Sequence, residues 1–269
     1  MEKNNTTPKM LGPKETEVVS RLSYEKASVV TTDDFDRYFK FSPETRKQII
    51  FRLKRKGVLT AVKKGVYIFS PLESGPLGRN INEFEIVSLL FPKGNYYIGY
   101  ATMYNYHGFT EQIFQTMYIL NTTRQGERVI ANMRFKMIRI PAKRMYGLEK
   151  VKIGNSDVMI SDRERTLVDL IYFPKSVGGI KKAFEILKDE IHSKKTDIRK
   201  FVKYVSLFSD AATKKRIGYI LDKEGTDEKI LKPLFNNINN DSFVNLYKAK
   251  SRKGRINKKW GLIENASSE

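Results

Sequence analysis

Residues 42–70, SPETRKQIIFRLKRKGVLTAVKKGVYIFS, predict a helix followed at once by a tight two-stranded hairpin. Ser42 can accept a hydrogen bond from a free N–H group of a first helical turn, and Pro43 suits the first helical position. Gly57 is a typical helix stop. Two β-rich runs, VLTAV and VYIF, come next, and the short link KKG at 63–65 favours a hairpin between them.

The predicted helix has an apolar face and a charged face. Ile49, Ile50 and Leu53 share one side of it. The other side is largely polar and holds Glu44, Lys47, Gln48, Phe51, Lys54 and Arg55. Residues 42–70 carry eight basic side chains against Glu44 alone, a net charge of +7. Phosphate groups are therefore the expected partner. The alternative interpretation is an ordinary helix whose lysines are simply solvated.

Two further helices are predicted before this one. Pro13 opens a helix that runs to about Leu22, and Thr31 with Asp34 forms a capping pattern for a second helix that carries Phe35. Three helices and a hairpin within about 60 residues follow the order of a winged helix-turn-helix, in which the third helix enters the major groove of DNA.

The composition of the whole chain favours a folded protein that binds a polyanion. Its 269 residues are 40% hydrophobic, and the formal net charge is +20. Nucleic acid is a better candidate than an anionic membrane, because no run approaches 18 apolar residues and the N-terminal sequence lacks the apolar centre of a signal peptide. We expect a cytoplasmic protein with no membrane partner. The absence of cysteine agrees with a reducing compartment.

A cluster of proline and glycine at 71–80 is the best candidate for a domain boundary. We therefore predict a winged helix-turn-helix domain at 1–75 and a larger domain at 80–269. In the second domain, β-rich runs mix with helical patterns, followed by a helical region and then by terminal strands. The expected fold class is α+β, with a mixed α/β C-terminal domain.

Few residues have the pattern of an active site. Asp162, Glu164 and Asp169 form a compact acidic group, but Ser161 and Glu164 also match a capping box, and this structural interpretation is the better one. His107 lies among aromatic residues with no second imidazole or thiol nearby in sequence. The glycines lack the spacing of a phosphate-binding loop. We expect no enzymatic activity, no catalytic residues, no metal and no cofactor.

A second basic cluster lies near the C-terminus. It contains seven basic residues and no acidic one, namely Lys248, Lys250, Arg252, Lys253, Arg255, Lys258 and Lys259. Two interpretations stay open for this cluster, a nucleic-acid contact and a solvated loop.

Five segments together resemble the AbiEi family of antitoxins over nearly the whole chain. They are LKRKGVLTAVKKGVYIF, YYIGYATMYNYHGFTEQ, ISDRERTLVDLIYFP, KKRIGYIL and KKWGLIEN. The second and third segments are the specific ones, because winged helices occur in many regulators. Phe114 departs from the family pattern, in which a proline is expected at that turn.

The resemblance implies a cytoplasmic bacterial antitoxin of a type IV abortive-infection system that restricts phage. Such a protein binds its own promoter through the winged helix and represses the operon. Its C-terminal domain neutralises a nucleotidyltransferase-like toxin, AbiEii, without requiring a stable complex. The alternative is a stand-alone winged-helix transcription regulator with no toxin partner. The operator, the oligomeric state and the mechanism of neutralisation are left open by the sequence.

The DNA contacts implied by the resemblance lie on the third helix and the hairpin. They are Arg46, Lys47, Gln48, Arg52, Arg55, Lys63 and Lys64. We expect residues 46–48 to enter the major groove, where Arg46 and Gln48 are the side chains best suited to read base edges. Lys63 and Lys64 are expected to contact the DNA backbone or the minor groove.

Overall fold

A computed structural model describes residues 10–74, 81–154, 156–239, 242–247 and 251–265 of the chain. The fold is α+β, as predicted, and the chain divides into two compact units. The first unit contains the described residues up to Pro92 together with 129–133, 154 and 156, and the second contains the remaining described residues. Among the described residues, no helix is long and apolar enough to cross a membrane.

The first unit has the element order of a winged helix. Its helices are α1 (Pro13–Tyr24), α2 (Thr32–Tyr38), α3 (Pro43–Arg55) and α4 (Glu83–Leu90), and its strands are β1 (Val29–Thr31), β2 (Leu59–Lys63) and β3 (Val66–Phe69). The predicted caps form, because Ser42 Oγ accepts the N–H of Thr45 at 3.2 Å and Thr31 Oγ1 accepts the N–H of Asp34 at 3.2 Å. The three strands form an antiparallel sheet in the order β1-β3-β2.

The core of the first unit lies between the helices and this sheet. Val18 and Leu22 of α1, Phe35 of α2 and Leu53 of α3 are each almost wholly buried in it. These are the apolar positions that recur at helical spacing in the sequence, so burying them against one another fixes which face of α3 points inward. Helix α4, which the predicted boundary assigns to the second domain, belongs to the first unit in the structure.

A six-stranded mixed sheet occurs in the order β6-β7-β5-β4-β9-β8. Its strands are β4 (Tyr96–Gly99), β5 (Thr116–Asn121), β6 (Gly126–Ile130), β7 (Met133–Arg139), β8 (Leu148–Ile153) and β9 (Ser156–Ser161). Strand β4 pairs antiparallel with β5 and parallel with β9. Helix α5 (Ala101–Tyr106) follows β4 directly. The mixture of β-rich runs and helices predicted for the larger domain is thus present.

Helices and a small sheet complete the second unit. The helices are α6 (Arg163–Tyr172), α7 (Ile180–His192), α8 (Ile198–Leu207), α9 (Ala211–Lys223) and α10 (Glu228–Phe235). The strands β10 (Val244–Asn245), β11 (Gly254–Asn257) and β12 (Leu262–Asn265) form a sheet in the order β10-β12-β11. Trp260 and Phe208 are wholly buried in the core of this unit. The predicted helical region and terminal strands are thus confirmed.

Candidate nucleic-acid interface

The outward face of α3 carries most of the residues predicted to contact DNA. Lys47, Gln48, Arg52 and Arg55 are all exposed. They lie on one side of the helix because Gln48, Arg52 and Arg55 follow Lys47 by one, five and eight positions. Lys54 is also exposed on this helix, although it was not among the predicted contacts. Within the part of the chain that the structure describes, Lys47 and Lys54 have no carboxylate partner, so their charges are available to an external anion.

Arg46 occupies a different place from its predicted neighbours. Its guanidinium is bound by the carboxylate of Asp36 in α2, and its side chain is only 22% exposed. Along α3, position 46 precedes Ile49 and Ile50 by three and four residues, which puts it on the inward side of the helix. Arg46 therefore ties α3 to α2, and its role as a base-reading side chain stays a prediction.

The hairpin is short and its tip is fixed. Lys63 pairs with Val66 across the two strands, so Lys64 and Gly65 alone form the turn. Gly65 has a φ of +73°, a conformation that favours glycine. Its carbonyl accepts the N–H of Thr32 at 2.9 Å, which anchors the tip to the first residue of α2. Lys64 is exposed at this tip, whereas Lys63 is half-buried.

An ion pair between partly exposed Lys56 and buried Glu15 holds the C-terminal end of α3. The ammonium of Lys56 is bonded to the carboxylate of Glu15, which is 2% exposed, and also donates to the carbonyl of Met10 at 2.9 Å. The backbone N–H of Gly12 donates to Glu15 as well, at 3.1 Å. Burial alone would raise the pKa of Glu15, but the hydrogen bonds from Lys56 and Gly12 outweigh it and the pKa is lowered. Lys56 therefore serves the fold of the unit and does not add to the outward charge.

The C-terminal basic cluster is divided by its contacts. Lys248 and Lys250 lie outside the described residues. Lys259 binds Asp222 at 2.9 Å, and Arg252 donates to the carbonyl of Phe243 at 3.0 Å. The remaining three basic residues of the cluster, Lys253, Arg255 and Lys258, are exposed near or on strand β11. The described residues of the cluster thus lie on β11 or beside it, and two of them, Arg252 and Lys259, bind other residues of the protein.

The acidic group of the second unit makes well-defined internal contacts. Asp162 caps α6 by accepting the N–H of Arg165 at 2.8 Å, so the predicted cap at Ser161 is shifted by one residue. Glu164 accepts the N–H of Asp197 at 3.0 Å, and Lys200 bridges the carboxylates of Asp162 and Glu164. These contacts join the start of α6 to α8.

Asp169 is buried with Arg165, and the imidazole of His107 is bonded to the carbonyl of Ser161 at 2.9 Å. Burial lowers the pKa of His107, against the opposing effect of that hydrogen bond. Among the described residues, no three histidine, aspartate or glutamate side chains are grouped so that they could hold a metal ion.

The sequence predictions did not assign a contact role to Phe51. This side chain is 57% exposed and lies on α3 between Lys47 and Arg55, one helical turn from each. The sequence signal was present, because residue 51 falls on the polar side of the helix, where a large apolar residue is out of pattern.

Comparison with known proteins establishes the fold. No family model matches the sequence, and no curated protein matches it. A crystal structure of the Rv2827c protein from Mycobacterium tuberculosis superposes with a TM-score of 0.66 and 15% sequence identity, over 96% of this chain and 94% of that one. At this identity the likeness concerns the architecture alone, so the chain shares its fold with the Rv2827c protein.

Proposed function

We propose that this protein binds double-stranded DNA through α3 and the tip of the β2–β3 hairpin, and that it represses its own promoter. The observation that supports this proposal best is the outward face of α3. Four exposed polar or basic residues, Lys47, Gln48, Arg52 and Arg55, lie there on one side of a helix in a winged-helix unit. A helix with this surface suits the major groove in shape and in charge.

The roles within this interface divide by chemistry. Lys47, Arg52 and Lys64 are assigned to phosphates, which attract any nearby cation and carry no sequence information. Gln48 is assigned to a base edge, because a glutamine amide can both donate to and accept from adenine. Arg55 and Lys63 extend the basic surface on either side. Arg46 holds α3 in place through Asp36 and acts indirectly.

We further propose that the chain is an antitoxin of the AbiEi type. The sequence resemblance of the segments YYIGYATMYNYHGFTEQ and ISDRERTLVDLIYFP supports this part of the proposal. The protein would act in the cytoplasm, where its promoter and its nucleotidyltransferase-like toxin would also be located. Neutralisation is assigned to the second unit and does not require a stable complex with the toxin.

A binding experiment tests the DNA contact. Fluorescence anisotropy with a labelled duplex from upstream of the protein's own gene should show saturable binding that an unlabelled copy competes away. A Lys47→Ala/Gln48→Ala/Lys64→Ala variant should bind this duplex much more weakly. Lys182→Ala is a suitable control, because Lys182 is an exposed lysine of α7 that pairs with Glu185. Equal affinity for the triple variant and the wild type would contradict the proposed interface.

A growth experiment tests the antitoxin role separately. Co-expression of the full chain with the neighbouring reading frame should restore growth that the neighbouring product alone inhibits. The triple variant should restore growth equally well when both genes are driven by an unrelated promoter, because repression then plays no part. Binding to DNA without any rescue of growth would favour the stand-alone regulator.

A further inference from the structure

An exposed phenylalanine lies within the charged face of α3. Phe51 is 57% exposed, and its neighbours along that face are Lys47 one turn before, Gln48 three residues before and Arg55 one turn after. The guanidinium of Arg55 lies 5.9 Å from the centre of its ring. The apolar residues of α3 that form the core, Ile49, Ile50 and Leu53, are on the opposite side.

Single exposed apolar side chains are common on protein surfaces and usually have no role. Phe51 differs from such side chains because it lies on the same face of α3 as the proposed DNA contacts. If α3 enters the major groove by the face that carries Lys47 and Gln48, the Phe51 ring must enter with them, because it projects from the turn between them and Arg55. A ring pressed onto polar base edges would remove water from donors and acceptors without replacing their hydrogen bonds, which is costly.

One apolar group is available to such a ring in the major groove. Thymine carries a C5 methyl group there, whereas the other three bases present only hydrogen-bonding edges or, in cytosine, an unsubstituted C5. We propose that Phe51 contacts a thymine methyl group and thereby determines part of the sequence specificity. This inference rests on the proposed DNA binding and adds a base-specific contact to it.

The experiment uses the full chain and a site that the protein itself selects. Wild-type protein first enriches duplexes from a random-sequence library. Each thymine of the enriched site is then replaced by deoxyuridine, which removes the methyl group and leaves the base pairing unchanged. Replacement at one or two positions should weaken wild-type binding by about fourfold each, the change expected when one methyl group is lost from an apolar contact. Replacement at the other positions should have no effect.

Three variants show whether Phe51 is the residue responsible. Phe51→Ala should bind the thymine and deoxyuridine duplexes equally, while Phe51→Leu should keep much of the difference because leucine is also apolar. Tyr24→Ala removes a comparably exposed aromatic side chain from α1, where it is 80% exposed, and should leave the full wild-type difference. Both positions are at the surface, so folding should be unaffected.

Results that contradict the methyl contact can be distinguished from results that contradict DNA binding. Discrimination that persists in Phe51→Ala, or an enriched site without thymine, overturns the methyl contact and leaves DNA binding intact. A change in molecular mass on Phe51→Ala, measured by light scattering, would place Phe51 at a contact between two copies of the chain and also overturns the proposal. Failure of the wild-type protein to enrich any sequence would overturn the proposed function itself.

Discussion

The guanidinium of Arg46 is bound by the carboxylate of Asp36, and this ion pair ties the first turns of α3 to α2. Arg46 is mostly covered, whereas the Asp36 side chain is about half exposed. The ion pair is therefore partly exposed to water, and it links the two helices of the helix-turn-helix. Its function is to hold α3 in the orientation that presents Lys47 and Gln48 outward.

Removing either partner should cost stability more clearly than DNA affinity. We expect Arg46→Ala and Asp36→Ala each to lower the free energy of unfolding by about 0.2–1 kcal/mol, because the pair is partly exposed to water. The loss of unfolding free energy in the double variant should not exceed the sum of the losses in the two single variants. Urea denaturation measures these values. A large loss of DNA affinity for Arg46→Ala, with unchanged stability for both variants, would assign Arg46 to DNA contact instead.

The phosphate contacts should appear in the salt dependence of binding. Lys47→Ala and Lys64→Ala should each make the slope of log K against log salt concentration shallower by about one, because each lysine would displace one counterion from a phosphate. The loss of affinity should be similar for all DNA sequences. Anisotropy titrations at several salt concentrations measure the slope, with Lys182→Ala as the control. An unchanged slope for Lys64→Ala would exclude the hairpin tip from the interface.

The glutamine on α3 should affect sequence preference and leave the salt slope unchanged. Gln48→Ala should reduce affinity for the preferred site by about 1–3 kcal/mol and abolish discrimination at a single base pair, because a bidentate contact to adenine would be lost. Affinity for unrelated DNA should stay the same. Titration of a set of duplexes that differ at one position each measures this effect. A uniform loss across all duplexes would show that Gln48 contacts the backbone.

The local signals in the sequence were sufficient to define α3. Ser42, Pro43 and Gly57 define the ends of α3, and the spacing of Ile49, Ile50 and Leu53 defines its buried face. The same spacing could have placed Arg46 on that face. Its partner Asp36 could not have been identified, because the pairing depends on how two helices pack, which no local pattern contains.

Other parts of the chain show where local signals fail. Strand β6, GERVI, and strand β11, GRIN, are mostly exposed, so neither has the apolar alternation by which a strand is recognised. At the start of α6 both Ser161 and Asp162 are good caps, and the sequence could not separate them. Lys259 of the basic C-terminal cluster forms an ion pair with Asp222, which is 37 residues away in sequence. A local sequence pattern does not reveal such a pairing.

Glu15 should make the stability of the first unit depend on acid pH. Its pKa in the folded protein is below the ordinary value of 4.5, so ionised Glu15 stabilises the fold at neutral pH. This contribution should be lost as the pH falls from about 4.5 through the lower, folded value. Glu15→Gln should therefore be less stable than the wild type at pH 7, by about 1–3 kcal/mol, since a buried charged hydrogen bond is lost.

The difference between Glu15→Gln and the wild type should shrink as the pH falls below 4.5. Thermal unfolding at a series of pH values measures it. Glu17→Gln is a matched control, because Glu17 lies on the same helix and is exposed. A difference that stays constant from pH 7 to pH 3 would show that the effect of Glu15→Gln comes from packing and not from the charge.

The second unit contains a fully buried ion pair between Arg165 and Asp169. Both side chains are wholly inaccessible, and Nε of Arg165 lies 3.3 Å from Oδ1 of Asp169. The guanidinium also donates to the carbonyls of Arg144 and Tyr146 and to the hydroxyl of Tyr97, at 2.7–2.9 Å. Arg165 thus joins α6 to the strand and loop residues around it. Among the described residues, Asp169 is the one carboxylate that binds Arg165 directly.

Asp169→Ala should therefore be strongly destabilising, by about 3–5 kcal/mol, because it leaves the charge of Arg165 buried without a counterion. An Arg165→Met/Asp169→Leu variant should be less destabilised than Asp169→Ala, since no charge is then left in the core. Urea denaturation of the full chain measures both. Asp157→Ala removes a carboxylate from an exposed pair with Lys150 and should change stability little. If the double variant were the less stable of the two, the hydrogen bonds of Arg165 to the surrounding carbonyls would be the dominant contribution, and the ion pair would be secondary.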